Sequence, residues 1–247
     1  MDKLTPKAVI FDLGSTLIEY ETLGWSELSI KCIISTRKFL LEKRYDVPDE
    51  DQYIEIFERI KHRYRNKALK TLVEWTIPQV AKEVLAALDM KKADDQLIAD
   101  FFGAYYLPVK EQLYVYDDTI DTLEKIHRTI PITGLVSNTI FPEQTHLDEL
   151  KRFEVTGYLD FKLFSSTFGL RKPHKDIFVK AANLAGFAPA ECVYVGDRYI
   201  EDIEGPSSVG MPAILKVKEG RDYPKEMPLA MRRIHTLSEL EEHINLE

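Results

Sequence analysis

Five polar residues of the 247-residue chain stand at or shortly after segments that predict the carboxyl ends of buried strands. They are Asp12, Ser137, Lys172, Asp197 and Asp202. Short apolar runs bounded by turn formers, such as residues 8–11, are typical of strands that are covered on both faces. Because the carboxyl ends of parallel strands meet at one edge of a sheet, we expect these side chains to lie close together.

Such a set of groups could bind and attack a phosphoryl group. Carboxylates packed this closely repel one another, so a hard divalent cation is expected among them, and ligands that are all oxygen favour Mg²⁺. Mg²⁺ and Lys172 would supply positive charge to the phosphoryl oxygens. Asp12 could then attack phosphorus and form an aspartyl phosphate.

Each residue also has a structural interpretation. Asp12 and Ser137 could cap helices, and Asp197 could be a turn residue after Gly196. Lys172 could be an ordinary surface lysine. For each residue taken singly, a structural role is at least as plausible as a functional one. Five such residues in this order at successive strand ends nevertheless favour one shared site.

Strands and helices alternate in the parts of the chain that must position these groups. Strands are predicted at 7–11, 131–136, 161–164, 191–195 and 213–217, and helices at 119–127, 144–153, 175–185, 203–209 and 237–244. A polar segment at 233–235 is expected to lead into the last of these helices. This alternation predicts an α/β fold with a parallel sheet.

The segment from about Trp25 to Tyr106 differs, because its apolar residues recur at helical spacing and predict about four helices without a strand. One expected buried stripe consists of Ile56, Ile60 and Tyr64. The basic run at 61–67 could be a lid that attracts an anion, but a solvated helix face is the favoured interpretation.

Composition limits the possible function. Charged residues make up 30% of the chain and the net charge is −8, which argues against general nucleic-acid binding. The only cysteines, Cys32 and Cys192, are too far apart in sequence for a zinc motif or a disulfide framework. The polar N-terminus predicts neither a signal peptide nor a membrane span, so we expect a soluble cytoplasmic protein.

Four motifs resemble those of the haloacid dehalogenase superfamily of hydrolases. They are FDLGSTL at 11–17, LVSN at 135–138, the Lys-Pro of GLRKPHKDIF at 169–178, and VGDRYIEDIEGPSSVG at 195–210, which is the most specific. The resemblance covers nearly the whole chain. It implies a discontinuous Rossmann-like core at 1–20 and 114–247, with helices on both faces of the sheet, and an inserted all-helical cap domain at 21–113.

The resemblance also implies roles for single residues. Asp12 would be the nucleophile, and Ser137 and Lys172 would bind the phosphate, with Asn138 and Thr16 as further substrate contacts. The substrate would be a small phosphorylated metabolite, with no nucleic-acid or membrane partner. Oligomeric state is not predicted.

A Mg²⁺ site is implied at the same place. Asp12, Asp197 and the backbone carbonyl of Gly14 would be direct ligands, and Asp202 would act through water. Asp197 and Asp202 correspond to the acidic pair of the fourth motif.

Gly14 departs from the pattern of the family's phosphatases, which usually carry a second aspartate at this position. That aspartate is the general acid and base of the reaction, and a positioned acid or base contributes roughly 10²- to 10⁴-fold. The sequence therefore predicts slow turnover, or a restriction to good leaving groups such as acyl and aryl phosphates.

Three hypotheses remain, in this order. The first is a Mg²⁺-dependent phosphohydrolase, and the second is a non-catalytic binding or regulatory protein, suggested by Gly14. The third is an enzyme of the phosphonatase or dehalogenase type. A phosphonatase would need a Schiff-base lysine in the cap, for which Lys31, Lys38 and Lys43 are the candidates, although a lone helical lysine is usually solvated.

Overall fold

The structure is a computed structural model that describes residues 2–90, 93–226 and 231–246. Its strands are β1 Ala8–Phe11, β2 Ile18–Glu19, β3 Tyr114–Val115, β4 Ile132–Ser137, β5 Phe161–Phe164, β6 Cys192–Gly196, β7 Ala213–Lys216 and β8 Arg232–Ile234. Its α-helices are α1 Trp25–Glu42, α2 Glu50–Thr71, α3 Ile77–Ala87, α4 Asp95–Lys110, α5 Thr119–Thr129, α6 Glu143–Arg152, α7 Ser165–Phe168, α8 Lys175–Ala185, α9 Gly205–Ser207 and α10 Leu240–His243.

Within the described residues, six strands form a parallel sheet in the order β5-β4-β1-β6-β7-β8. All four residues of β1 are fully buried, which means that both faces of the sheet are covered. Ile10 and Tyr194 pack with Phe178 of α8 on one of these faces. The predicted α/β class, a Rossmann-like parallel sheet with an additional helical part, is confirmed.

The register brings the predicted strand ends together. Phe11 of β1 lies opposite Leu135 of β4 and Val195 of β6. The next residues on these strands therefore emerge at one edge of the sheet, and Asp12 follows β1 directly. Asp12 is anchored there because its backbone N–H donates to the carbonyl of Val195 at 2.8 Å.

The structure corrects two local predictions and adds one pair of strands. Residues 232–234 form an edge strand, β8, parallel to β7, where a polar lead-in to a helix was expected. β2 and β3 form an antiparallel pair that was not predicted. The predicted helix at 203–209 begins earlier, because a π-helix, Tyr199–Glu204, precedes the short α9.

The chain separates into two compact units, Met1–Glu19 with Tyr114–Glu247, and Tyr20–Leu113. We call them the sheet unit and the helical unit. In the helical unit, Phe57 stacks on Phe101 and Tyr105, with ring centroids 6.2 and 5.6 Å apart. The buried stripe of α2 is Tyr53, Phe57 and Ile60, so the expected stripe through Ile56 and Tyr64 is wrong apart from Ile60.

Every helix among the described residues is too short or too polar to span a lipid bilayer.

Candidate active site

Lys172 is the centre of a buried charge cluster in the sheet unit. Its Nζ lies 2.6 Å from Asp12 Oδ1 and 2.6 Å from Asp202 Oδ1. The same atom lies 2.9 Å from the Tyr194 hydroxyl oxygen and 3.3 Å from the Val136 carbonyl oxygen. Only 2% of Lys172 is exposed, so the alternative interpretation of Lys172 as an ordinary surface lysine is wrong.

Asn138 holds the Lys172 backbone in place. The Lys172 N–H donates to Asn138 Oδ1 at 2.7 Å, and Asn138 Nδ2 donates to the Lys172 carbonyl at 2.9 Å. This pair of bonds joins the end of β4 to the segment before α8. It favours a positioning role for Asn138, and the predicted substrate contact of this residue stays a prediction.

Tyr194, which the sequence analysis did not single out, also orients Lys172. Its hydroxyl accepts from Lys172 Nζ and donates to the Val136 carbonyl at 2.9 Å. Tyr194 lies inside β6 and is fully buried. A tyrosine within an otherwise apolar strand is the sequence signal that could have identified it, because a buried hydroxyl needs a hydrogen-bond partner.

Asp202 closes the turn that follows β6. Its Oδ2 accepts from the backbone N–H groups of Asp197 at 3.1 Å and Arg198 at 2.8 Å. Its side chain packs directly over Gly196, where an added Cβ would lie 2.5 Å from Asp202 Cγ. Glycine is therefore required at 196 by the close approach of this carboxylate.

Asp197 is fully buried, and its two carboxylate oxygens have different surroundings. Its Oδ2 forms an ion pair with Arg221, whereas its Oδ1 has no hydrogen-bond partner among the described residues. The Tyr223 hydroxyl donates to the Asp197 carbonyl at 3.0 Å. Arg221 and Tyr223 were missed, although the predicted strand at 213–217 ends at the same edge of the sheet and could have indicated them.

The acidic residues fit a divalent cation. Asp12, Asp197 and Asp202 each offer a carboxylate oxygen, and these atoms lie within 4.8 Å of one another. A buried carboxylate oxygen without a partner, such as Asp197 Oδ1, is the kind of group that a cation would satisfy. Both Asp202 oxygens already accept hydrogen bonds, which is compatible with a contact through water.

The electrostatics of the cluster follow from its burial. Burial raises the pKa of Asp12, and Asp202 raises it further, while Lys172 opposes both. Burial alone would lower the pKa of Lys172, but Asp12 and Asp202 hold it well above its ordinary value. Burial, Asp12 and Asp202 raise the pKa of Asp197 well above its usual range, against the effect of Arg221. Lys172 therefore stays charged, and an added cation would relieve the mutual repulsion of the carboxylates.

Two lysines brace the turn that follows β1. Lys216 Nζ donates to the Ser15 carbonyl at 3.1 Å and lies 3.6 Å from the centroid of the Tyr116 ring. Lys218 Nζ donates to Ser15 Oγ at 2.9 Å and to Glu19 Oε1 at 2.8 Å. The turn is thus fixed from the end of β7, and Ser15 keeps a left-handed φ of 59° within it.

The remaining predicted site residues lie at the same edge of the sheet. Ser137 is the last residue of β4 and is 4% exposed. Gly14 is half-buried within the turn that follows β1. Thr16 is fully buried, and its Oγ1 has no hydrogen-bond partner among the described residues. The structure thus brings these residues to one edge, and their contacts with metal or substrate stay predictions.

The candidate lysines of the helical unit are solvated. Lys31 pairs with Glu27 at 3.0 Å with its side chain 51% exposed. Lys38 pairs with Glu42 at 3.9 Å. Lys43 is exposed beside the ring of Phe39. The basic run at 61–67 is likewise mostly exposed, and Arg63 pairs with Glu83.

The parallel sheet carries a buried lysine between two aspartates at its strand ends. This arrangement agrees with the four motifs, which indicated a hydrolase of the haloacid dehalogenase superfamily. The model of the haloacid dehalogenase-like hydrolases matches residues 6–210, and the chain belongs to that family.

Relatives of known name extend this finding. The chain is 27% identical over 242 residues to a glyceraldehyde 3-phosphate phosphatase of Methanothermobacter thermautotrophicus, covering 96% of this chain and 98% of the relative. It is 23% identical over 243 residues to the human N-acylneuraminate-9-phosphatase, covering 95% and 92%. Among solved structures, a 2-haloacid dehalogenase of Pseudomonas syringae pv. Tomato DC3000 is similar with a TM-score of 0.72 and 24% identity, covering 97% of each chain. At that identity, the structural likeness establishes the fold alone.

Proposed function

We propose that this protein is a Mg²⁺-dependent phosphohydrolase that cleaves a small phosphorylated metabolite through an aspartyl phosphate on Asp12. The observation that carries the proposal is the single ammonium of Lys172, held 2.6 Å from both Asp12 and Asp202. Asp197 adds a third carboxylate to this group. The phosphatase names of the relatives support the same reaction class.

The reaction would begin at Asp12. A carboxylate oxygen of Asp12 forms a bond to phosphorus while the bond from phosphorus to the leaving oxygen breaks. Lys172 remains protonated and attracts the phosphoryl oxygens, and the Ser137 hydroxyl can donate to one of them. Bound Mg²⁺ would supply the rest of the positive charge against the phosphoryl group. Water then attacks phosphorus, and the bond from phosphorus to Asp12 breaks.

Gly14 limits the choice of substrate. It has no side chain that could protonate a leaving alcohol or activate the water, and such a group contributes roughly 10²- to 10⁴-fold. Alkyl phosphates such as glyceraldehyde 3-phosphate depend on that proton more than acyl or aryl phosphates do. We therefore infer that this protein is slow with alkyl phosphates, or acts on a phosphate with a good leaving group.

The direct test uses acetyl phosphate and p-nitrophenyl phosphate with MgCl₂. We expect turnover, and loss of both turnover and protein phosphorylation in Asp12→Asn. Activity that is unchanged in Asp12→Asn would refute the proposed nucleophile, and complete absence of turnover would refute the phosphohydrolase.

Gly14→Asp tests the explanation for the restriction. If the missing proton donor limits the reaction, Gly14→Asp should raise turnover of an alkyl phosphate much more than that of acetyl phosphate. An equal effect on both substrates would place the limitation elsewhere.

A non-catalytic binding protein is the second candidate, and Gly14 is the observation that favours it. Thermal unfolding with a set of phosphorylated metabolites, with and without Mg²⁺, reports binding independently of turnover. A metabolite that raises the unfolding midpoint of wild type but is never cleaved would support this candidate.

The phosphonatase alternative has less support. Lys31 and Lys38 are exposed and paired with glutamates, and an amine becomes a Schiff-base nucleophile when burial lowers its pKa. Halide release from a 2-haloacid, or trapping by borohydride with phosphonoacetaldehyde, would reinstate the corresponding alternative.

A further inference from the structure

The segment after β7, residues 217–226, is named here the β7 loop, and it contacts Asp197 twice. Arg221 forms an ion pair with Asp197 Oδ2, and the Tyr223 hydroxyl donates to the Asp197 carbonyl at 3.0 Å. The Tyr223 hydroxyl in turn accepts from the Lys218 N–H at 2.9 Å, which ties the loop to itself. The Arg221 side chain is 13% exposed and Asp197 is fully buried, so this is an interior ion pair.

The two oxygens of Asp197 indicate what this pair does. The guanidinium occupies Oδ2, whereas Oδ1 is buried without a partner among the described residues. The same oxygen cluster includes Asp12 and Asp202. Arg221 thus leaves one Asp197 oxygen available to a cation while it neutralises part of the carboxylate charge.

We propose that Arg221 is a resident counter-ion of Asp197 that stabilises the acidic cluster without metal and sets a moderate affinity for Mg²⁺. This inference rests on the metal site of the proposed function and deepens it. None of the four motifs contains Arg221, which lies eleven residues beyond the last of them.

Charge counting gives the direction of the effect. Asp12, Asp197 and Asp202 carry three negative charges when ionised, and Lys172 and Arg221 carry two positive charges. Removing Arg221 changes the sum from −1 to −2, which strengthens the attraction for a divalent cation. It also removes the ion pair of the buried Asp197 Oδ2, which destabilises the protein in the absence of metal.

A second cation of the same segment provides a contrast. Lys218 also lies in the β7 loop, but its ammonium contacts Ser15 and Glu19, on the turn that follows β1. Arg221 is the residue of the loop that pairs with Asp197, so the charge effect on Asp197 is assigned to Arg221.

The experiment measures Mg²⁺ binding to full-length protein after dialysis against EDTA, by isothermal titration with MgCl₂ and by the thermal unfolding midpoint. For Arg221→Ala we expect a midpoint without metal that is lower by about 5 °C or more. We also expect Mg²⁺ affinity about fivefold or more above wild type. Arg221→Lys keeps the net charge, so its Mg²⁺ affinity should stay closer to that of wild type than the affinity of Arg221→Ala does.

Arg232→Ala is the matched control, because Arg232 lies in β8 and its guanidinium donates to the Asp2 carbonyl instead of to the cluster. It should bind Mg²⁺ as wild type does. Arg221→Gln replaces Arg221→Ala if the latter does not fold. The inference is overturned if Arg221→Ala, or Arg221→Gln in its place, binds Mg²⁺ no more tightly than wild type. It is also overturned if wild type does not bind Mg²⁺.

Measurements of Mg²⁺ affinity and of phosphatase turnover can fail independently, so they distinguish this inference from the proposed function. Tighter Mg²⁺ binding by Arg221→Ala with no phosphatase activity in wild type would uphold the counter-ion and refute the phosphohydrolase. Phosphatase activity in wild type, together with an Mg²⁺ affinity that is unchanged in Arg221→Ala, would uphold the phosphohydrolase and refute the counter-ion.

Discussion

The Lys172 cluster of the sheet unit and the Lys31 and Lys38 ion pairs of the helical unit use charged side chains in opposite ways. In the sheet unit, Lys172 pairs with Asp12 and Asp202, which lie 160 and 30 positions away along the chain, and all three are buried. In the helical unit, Lys31 and Lys38 pair with glutamates four residues away, and their side chains are more than half exposed.

This difference distinguishes charged side chains that keep the surface polar from charged side chains that are candidates for catalysis. Exposed pairs one helical turn apart contribute only about 0.3–0.5 kcal/mol and keep the surface polar. Removing charges from water costs several kcal/mol per ion, which a pair recovers only with good geometry and further hydrogen bonds. A buried cluster of charged side chains is therefore poor as a stabilising device, and its presence at the strand ends favours chemistry.

Lys172→Met should have the largest effect. It leaves Asp12 and Asp202 buried without their cation, so we expect the free energy of unfolding to fall by about 3–5 kcal/mol. Phosphatase turnover should fall by about 10²-fold or more. Urea unfolding and acetyl phosphate hydrolysis measure the two effects. Lys31→Met is the control and should change stability by less than about 0.5 kcal/mol; equal losses in both variants would contradict the comparison.

Glycine substitutions test whether the strand-end cluster is packed more tightly than the helical unit. A Cβ at 196 would collide with Asp202, so Gly196→Ala should cost about 1–3 kcal/mol and reduce turnover. An added Cβ at 103, in α4, meets no atom within 4 Å, so Gly103→Ala should stabilise by about 0.5–1 kcal/mol. Chemical denaturation of both variants measures the difference, and a stabilising Gly196→Ala would disprove the close approach.

A buried histidine makes the sheet unit sensitive to acid. His146 Nδ1 lies 2.7 Å from Glu149 Oε2, His146 Nε2 lies 2.6 Å from Thr139 Oγ1, and burial lowers the pKa of His146 to about 3. Because the unfolded chain then binds a proton that the folded chain does not, stability should fall as pH drops from 6.5 towards 3, by up to about 1.4 kcal/mol per pH unit.

Urea unfolding at pH 7, 6 and 5 measures this dependence in wild type and in His146→Gln. The variant should show a shallower loss of stability on acidification. His235→Gln removes an exposed histidine and should keep the wild-type slope. An unchanged slope in His146→Gln would show that other groups cause the acid sensitivity.

The smallest effect is expected for the exposed pair of Glu27 and Lys31. A double-mutant cycle with Glu27→Ala and Lys31→Ala should give a coupling of about 0.3–0.5 kcal/mol that decreases with added salt. A coupling above about 2 kcal/mol would show that charges in the helical unit are not merely solvated.

The sequence by itself determined the parallel sheet and the acids at its strand ends. Apolar runs that stop at turn formers, such as Ala8–Phe11 before Asp12 and Cys192–Gly196 before Asp197, are local signals. Parallel strands then bring their carboxyl ends to one edge, so the grouping of Asp12, Asp197 and Lys172 followed from topology before any distance was known.

Local patterns could not provide the groups that hold this cluster. β8 is a short edge strand with two arginines, and only its pairing with β7 makes it a strand. Tyr194 gains its role from Lys172, and Arg221 gains its role from Asp197. Sequence periodicity reports which face of an element is apolar, but it does not report which distant side chain meets a buried charge. Tertiary structure decided these partners, because desolvated charges must find compensation wherever the fold places it.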